Sequence, residues 1–81
     1  MGGFWSFRPL KCRDVRKALE RLGFKETGDQ VGSHVKCEAI IDGKMRKVTL
    51  DCHRGEVRAL DVKSIIAQSG VSKSAFFGAM K

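Results

Sequence analysis

Residues 34 to 51 read His-Val-Lys-Cys-Glu-Ala-Ile-Ile-Asp-Gly-Lys-Met-Arg-Lys-Val-Thr-Leu-Asp. The first run alternates: Val35, Cys37, Ala39 and Ile41 are apolar, whereas His34, Lys36 and Glu38 are polar. From Met45 to Cys52 the pattern returns, with Val48, Leu50 and Cys52 on one side and Lys47, Thr49 and Asp51 on the other. A period of two marks a strand with one face in the core and one in water. Between the runs stands Asp42-Gly43, a dipeptide that accepts the two left-handed positions of a type I′ hairpin turn. Such a turn sets Ile41 against Lys44, and then Val35 faces Leu50, Cys37 faces Val48 and Ala39 faces Arg46. On the polar face His34 meets Asp51, Lys36 meets Thr49, and Glu38 meets Lys47. A slip of one residue would put Val35 and Leu50 on different faces, so pattern and turn specify one register.

On the N-terminal side, Val15, Ala18, Leu19 and Leu22 recur at spacings of three and four, which predicts a helix from Lys11 to Leu22 with Gly23 as its C-terminal cap. Its opposite side carries Arg13, Arg16, Lys17 and Arg21, an arrangement suited to phosphates and equally ordinary for a solvated face. Phe24 to Thr27 reads as a short strand, and Gly28 to Ser33 as a loop. Residues 1 to 9 hold Phe4, Trp5 and Phe7 and close on Pro9, which suggests a flexible lead whose aromatics anchor it to the body or stack on bases. On the C-terminal side, residues 53 to 60 read as a loop, Asp61 as the N-cap of a helix from Val62 to Ser69, and Gly70 as its end. Ser72 can cap a last short helix through Met80, with Phe76, Phe77 and Met80 as its apolar contacts. The expected fold is a two-layer α+β domain: helix, three antiparallel strands, helix, plus a short C-terminal helix.

The chain has 81 residues, enough for one domain, here residues 10 to 81, and too few for two. With 42% hydrophobic and 31% charged residues, nine glycines and one proline, the composition is that of a globular protein. The net charge is +7 and the pI about 9.8. The first 25 residues hold seven basic and two acidic side chains, so the excess is concentrated there. A localised basic excess points to a polyanionic partner; mere solubility is the plainer reading. Cys12, Cys37 and Cys52 are odd in number and widely spaced, which reads as reduced thiols: Cys37 and Cys52 in the core, Cys12 at the helix surface or core edge. The sequence contains neither an apolar run of membrane-spanning length nor the pattern of a signal peptide, so no membrane partner is expected and a cytoplasmic location is the default.

The alternation sets His34 outward among lysines. Imidazole has an ordinary pKa of about 6.5 and can exchange a proton near neutral pH. RNA cleavage by transesterification needs that service at the 2′-hydroxyl or the 5′-leaving oxygen, with cations to hold the phosphate. Lys36, Lys47 and the basic helix could supply them; a surface histidine without a role is the alternative. Asp51, opposite His34, could orient the ring, as a carboxylate does in a catalytic dyad, or be a simple cross-strand partner. His53 points the same way if the strand persists, and is then a further candidate for holding phosphate. A zinc site from His34, Cys37, Cys52 and His53 is disfavoured, because strand residues three apart or adjacent point to opposite faces. No phosphate-binding glycine fingerprint, nucleophile elbow or carboxylate cluster is present, and no cofactor is expected.

Taken in order, Leu22-Gly23-Phe24, then Gly32-Ser33-His34 opening a strand, Lys47-Val48-Thr49-Leu50, His53-x-Gly55-Glu56-Val57, and Val62-Lys63-Ser64-Ile65-Ile66-Ala67-Gln68-Ser69-Gly70-Val71-Ser72 resemble the HicA-type mRNA interferase toxins over about residues 10 to 73. The resemblance implies a fold similar to the double-stranded-RNA-binding domain and a metal-independent endoribonuclease whose essential histidine is the one after Gly-Ser, here His34. It also implies a HicB-type antitoxin that covers this face. Asp51 stands where the family often has proline, and Val35 where a second histidine is frequent; the N-terminal lead and the tail after Ser72 exceed the compact family pattern. The residues alone also suit a noncatalytic RNA-binding module using the same sheet and helix, or an interaction protein whose charge attracts an acidic partner.

Overall fold

The computed structural model describes residues 8–28, 32 and 34–80, so most of the aromatic lead, and Ser33, lie outside the described residues. Along the chain come β1 (Leu10–Lys11), α1 (Cys12–Arg21), β2 (Lys25–Glu26), β3 (His34–Ile41), β4 (Lys44–Asp51), β5 (Glu56–Val57), α2 (Ala59–Ser69) and α3 (Lys73–Gly78). The α+β order is the expected one: a helix, a three-stranded antiparallel sheet in the order β2-β3-β4, then helices.

The β3–β4 register is the one the alternation dictates, from Ile41 against Lys44 to His34 against Asp51. Asp42 and Gly43 have φ of 52° and 79°, the paired left-handed geometry of a type I′ turn. Val35, Cys37, Ala39, Val48 and Leu50 are buried, while His34, Lys36, Lys47 and Thr49 are exposed. The buried face meets Val15, Ala18 and Leu19 of α1 and Val62, Ile65 and Ile66 of α2, with Phe76 of α3 completing one core. Burying an aliphatic or aromatic side chain contributes about 1.5–3 kcal/mol, so these positions hold the two layers together.

Helix α1 ends in a Schellman motif. The N–H of Gly23 donates to the Glu20 carbonyl (3.0 Å) and that of Phe24 to the Leu19 carbonyl (2.9 Å). This needs a left-handed residue after the cap, and Gly23 has φ of 102°. Ser72 caps α3 by accepting a hydrogen bond from the Ala75 N–H at 3.0 Å. On the sheet's outer edge, the Thr49 N–H donates to Gln68 Oε1 of α2 at 3.1 Å, which satisfies an edge donor and fixes α2 along β4.

Three expectations need correction. Helix α2 begins at Ala59, with Arg58 rather than Asp61 in the N-cap position; Asp61 lies in the first turn, 3.5 Å from Arg58 Nε. An aspartate is favourable at either place, as a cap or against the helix dipole, so residue type alone does not fix the start. The stretch from His53 to Leu60 is not all loop: Glu56–Val57 pairs with Leu10–Lys11 in a separate two-stranded ladder. Strands of two residues are too short to show alternation. Finally, Cys12 and Cys52 are joined in a disulfide with Cα atoms 5.5 Å apart, and Cys37 is the buried free thiol. The reading of these two cysteines as reduced is thereby overturned, and the cytoplasmic default loses that support. The β1–β5 ladder brings them together, since the Cys12 N–H donates to the Gly55 carbonyl at 2.9 Å.

Leading into β5, His53-Arg54-Gly55-Glu56 makes a second tight turn, closed by the Glu56 N–H on the His53 carbonyl at 3.0 Å. Arg54 and Gly55 have φ of 54° and 79°. A left-handed residue with a Cβ costs about 1–2 kcal/mol, and arginine has no local side-chain hydrogen bond with which to offset it, unlike asparagine or aspartate.

Candidate functional site

The open face of the sheet is set by the pleat. His34, Lys36 and Glu38 lie on it from β3, and Asp51, Thr49 and Lys47 from β4. Strand β2 adds to the same face, because Lys25 opposes Glu38 and the Thr27 N–H donates to the Lys36 carbonyl at 2.9 Å. Lys36, Lys47, Thr27, Glu38 and Thr49 thus surround a shallow hollow of about 260 Å³. His34 stands one same-face position beyond Lys36, at the end of the hairpin remote from its turn. Its cross-strand partner is Asp51, as expected. Thr27 is a member of this face that the sequence did not single out; it lies just past β2, whose two residues give no period from which to place it.

His53 does not continue the line of Asp51. Strand β4 ends at Asp51, and His53 opens the turn toward β5, exposed and bridged to Glu56. The four possible zinc donors do not converge. His34 faces solvent, Cys37 faces the core, and Cys52 is bonded to Cys12.

Of the helix cations, Arg13, Arg16, Lys17 and Arg21 are all exposed, but they are not equally available. Residue 26 opposes Cys37 and so shares the core-side face of the sheet, which aims its carboxylate at α1. Arg16 donates from Nε and Nη2 to both Glu26 oxygens at 2.7 Å, and this bond raises the arginine pKa further above its ordinary value. Arg21 Nη1 donates to the Ala79 carbonyl at 3.1 Å. Arg13 Nε lies 3.7 Å from Asp14 Oδ1, and Arg13 and Lys17 line a groove with Lys25 and Glu20 between α1 and β2. Beneath that groove, burial pushes the Cys37 thiol up to about 11, with Glu26 adding to the rise and Arg16 opposing it.

The disulfide brings helix and histidine to one end of the molecule. Cys52 directly follows Asp51, and Cys12 is the first residue of α1. With ordinary Cα spacings along and across strands, Cys12 lies at most about 15 Å from His34. Exposed imidazole, lysines and the first turn of a basic helix therefore share one end of the fold, an arrangement that can hold phosphates and exchange a proton beside them.

Among the described residues no helix is long and apolar enough to cross a membrane. No curated protein and no solved structure matches the chain. The sequence model of one family, described as HicA toxin of bacterial toxin-antitoxin, matches residues 12–71, about three-quarters of the chain. That span runs from the first residue of α1 to just past the end of α2 and takes in the whole open face, and the chain belongs to the HicA toxin family of toxin–antitoxin systems.

Proposed function

We propose that this toxin is a metal-independent endoribonuclease that cleaves mRNA, with His34 as its general acid or base. The observation that carries the reading is the β3–β4 register, which sets an exposed histidine beside Lys36 and across from Asp51 on a sheet face no other element covers among the described residues. In this reading the imidazole exchanges a proton with the 2′-hydroxyl or the leaving 5′-oxygen, Asp51 orients the ring, and Lys36 and Lys47 hold the phosphate. Arg13 and Lys17 extend the cationic track, joined by Arg16, Arg21 and His53 to a lesser degree. Residues 10 to 81 act as one RNA-cleaving domain working in the cytoplasm.

Silencing is assigned to a HicB-type antitoxin seated on this face. Ile40 and Met45, cross-strand partners near the hairpin tip, are 69% and 55% exposed on it and give a protein partner apolar area to bury.

The test is incubation with single-stranded RNA in EDTA, comparing wild type with His34→Ala after circular dichroism has shown both to be folded. Cleavage by the wild type alone supports the assignment. If both proteins bind RNA and neither cuts it, the chain is a binding module instead.

A further inference from the structure

Beside the disulfide is a hollow of about 570 Å³ between the start of α1 and the β4–β5 turn. Lys11, Arg13 and Arg54 contribute its cations and Glu56 its carboxylate, while the Arg16 in its wall is held by Glu26. Among the described residues neither Lys11 nor Arg54 has a salt-bridge partner within 4.0 Å.

The turn supplies a second, independent observation. Position 54 is left-handed, with φ of 54°, where glycine would fit without strain and asparagine or aspartate with less strain than arginine. Backbone strain of this kind persists where the surrounding structure imposes it, and it clusters at working sites. Here the imposed geometry holds an exposed arginine at the rim of a basic hollow. The hollow lies at the His34 end of the hairpin, because Cys52 in its wall follows Asp51 directly.

We propose that Lys11 and Arg54, with Arg13, form a phosphate-binding subsite for the RNA strand as it leaves the His34 face around the end of the sheet. This deepens the ribonuclease reading and rests on it. The guanidinium and ammonium groups hold the backbone without reading bases, so the subsite adds affinity and register and no sequence preference.

The probe is a short single-stranded RNA with 2′-O-methyl groups throughout, which removes the attacking hydroxyl and keeps the phosphates. Arg54→Asn relieves the turn and deletes the charge. It is expected to raise the melting temperature, weaken binding on the order of five-fold at moderate salt, and flatten the slope of log K against log salt by roughly 0.7, the value for one phosphate contact to a single strand. Lys11→Gln should flatten it by a similar amount, and Arg54→Lys should keep the wild-type slope. Wild-type affinity and slope in Arg54→Asn, or a lowered melting temperature, overturns the subsite while wild-type cleavage of unmodified RNA leaves the ribonuclease reading intact. A wild-type protein that neither binds the probe nor cuts RNA overturns both.

Discussion

Arg16 and Glu26 are joined by two parallel hydrogen bonds of 2.7 Å, a fork-to-fork ion pair that ties the middle of α1 to β2. Both side chains are about 40% exposed (42% and 41%), so water screens the pair and its net contribution is about 1 kcal/mol or less. Glu26→Gln should therefore cost little stability in urea denaturation. The same change frees Arg16 and removes a negative charge beside Arg13 and Lys17, and RNA affinity should rise. An unchanged affinity would mean that this side of α1 does not meet RNA.

His34 and Asp51 differ in what their loss should do. His34→Ala is expected to reduce the cleavage rate roughly a hundred- to ten-thousand-fold, the usual range for a general acid or base, with RNA affinity and melting temperature almost unchanged because the ring is exposed. In the proposed mechanism Asp51 orients the ring and does not carry the proton, so Asp51→Asn should give a smaller loss. Equal losses would instead give Asp51 a direct part in the reaction. Single-turnover rates of the two variants on one RNA decide the matter.

The Cys12–Cys52 bond closes a loop with a sequence separation of 40. Chain-entropy reasoning assigns such a cross-link roughly 3–4 kcal/mol. Dithiothreitol, or Cys12→Ser with Cys52→Ser, should lower the urea midpoint accordingly. The third cysteine stays silent: with its thiol at about 11, only about one molecule in a thousand carries a Cys37 thiolate at pH 8. Iodoacetamide should label Cys12 and Cys52 after reduction and leave Cys37 unlabelled until the protein unfolds.

Gly70 is constrained twice. Its φ is 75°, and a Cβ built on it would stand 2.7 Å from Arg46 Nε. Arg46 projects from the core side of β4, opposite Ala39, and its Nε is buried against the carbonyl end of α2. Gly70→Ala should destabilise the protein by more than about 1 kcal/mol. Adding Arg46→Ala should remove the clash and leave the backbone strain, so a double-mutant cycle should give a coupling different from zero.

Ile40→Asp and Met45→Lys test the partner surface. Each should weaken neutralisation by the antitoxin, measured as ribonuclease activity remaining in a titration, without altering activity of the toxin alone. Full neutralisation of both variants would place the antitoxin elsewhere.

Much of this protein follows from short-range rules. The hairpin register is written in the alternation from His34 to Asp51, with Asp42-Gly43 at the turn, because a period of two admits one pairing when a single face must be buried. Helix α1 is equally legible: its apolar spacing fixes the buried face, and Gly23 supplies the left-handed residue its terminus requires. These signals are local, and they placed His34, Lys36, Lys47 and Asp51 on one exposed face. Relations between distant segments left no such trace. The β1–β5 ladder is too short to carry a pattern, and three cysteines do not declare which two will meet. Nor does the sequence distinguish Arg16, neutralised by Glu26 across ten positions, from Lys17 on the same helix. The left-handed position of Arg54 appears only in the folded turn, where the Glu56 N–H closes on the His53 carbonyl. Local periodicity determined the elements and their faces; tertiary closure, which depends on which segments can pack with least cost in loop entropy, decided which cations are free and which end of the molecule they share with His34.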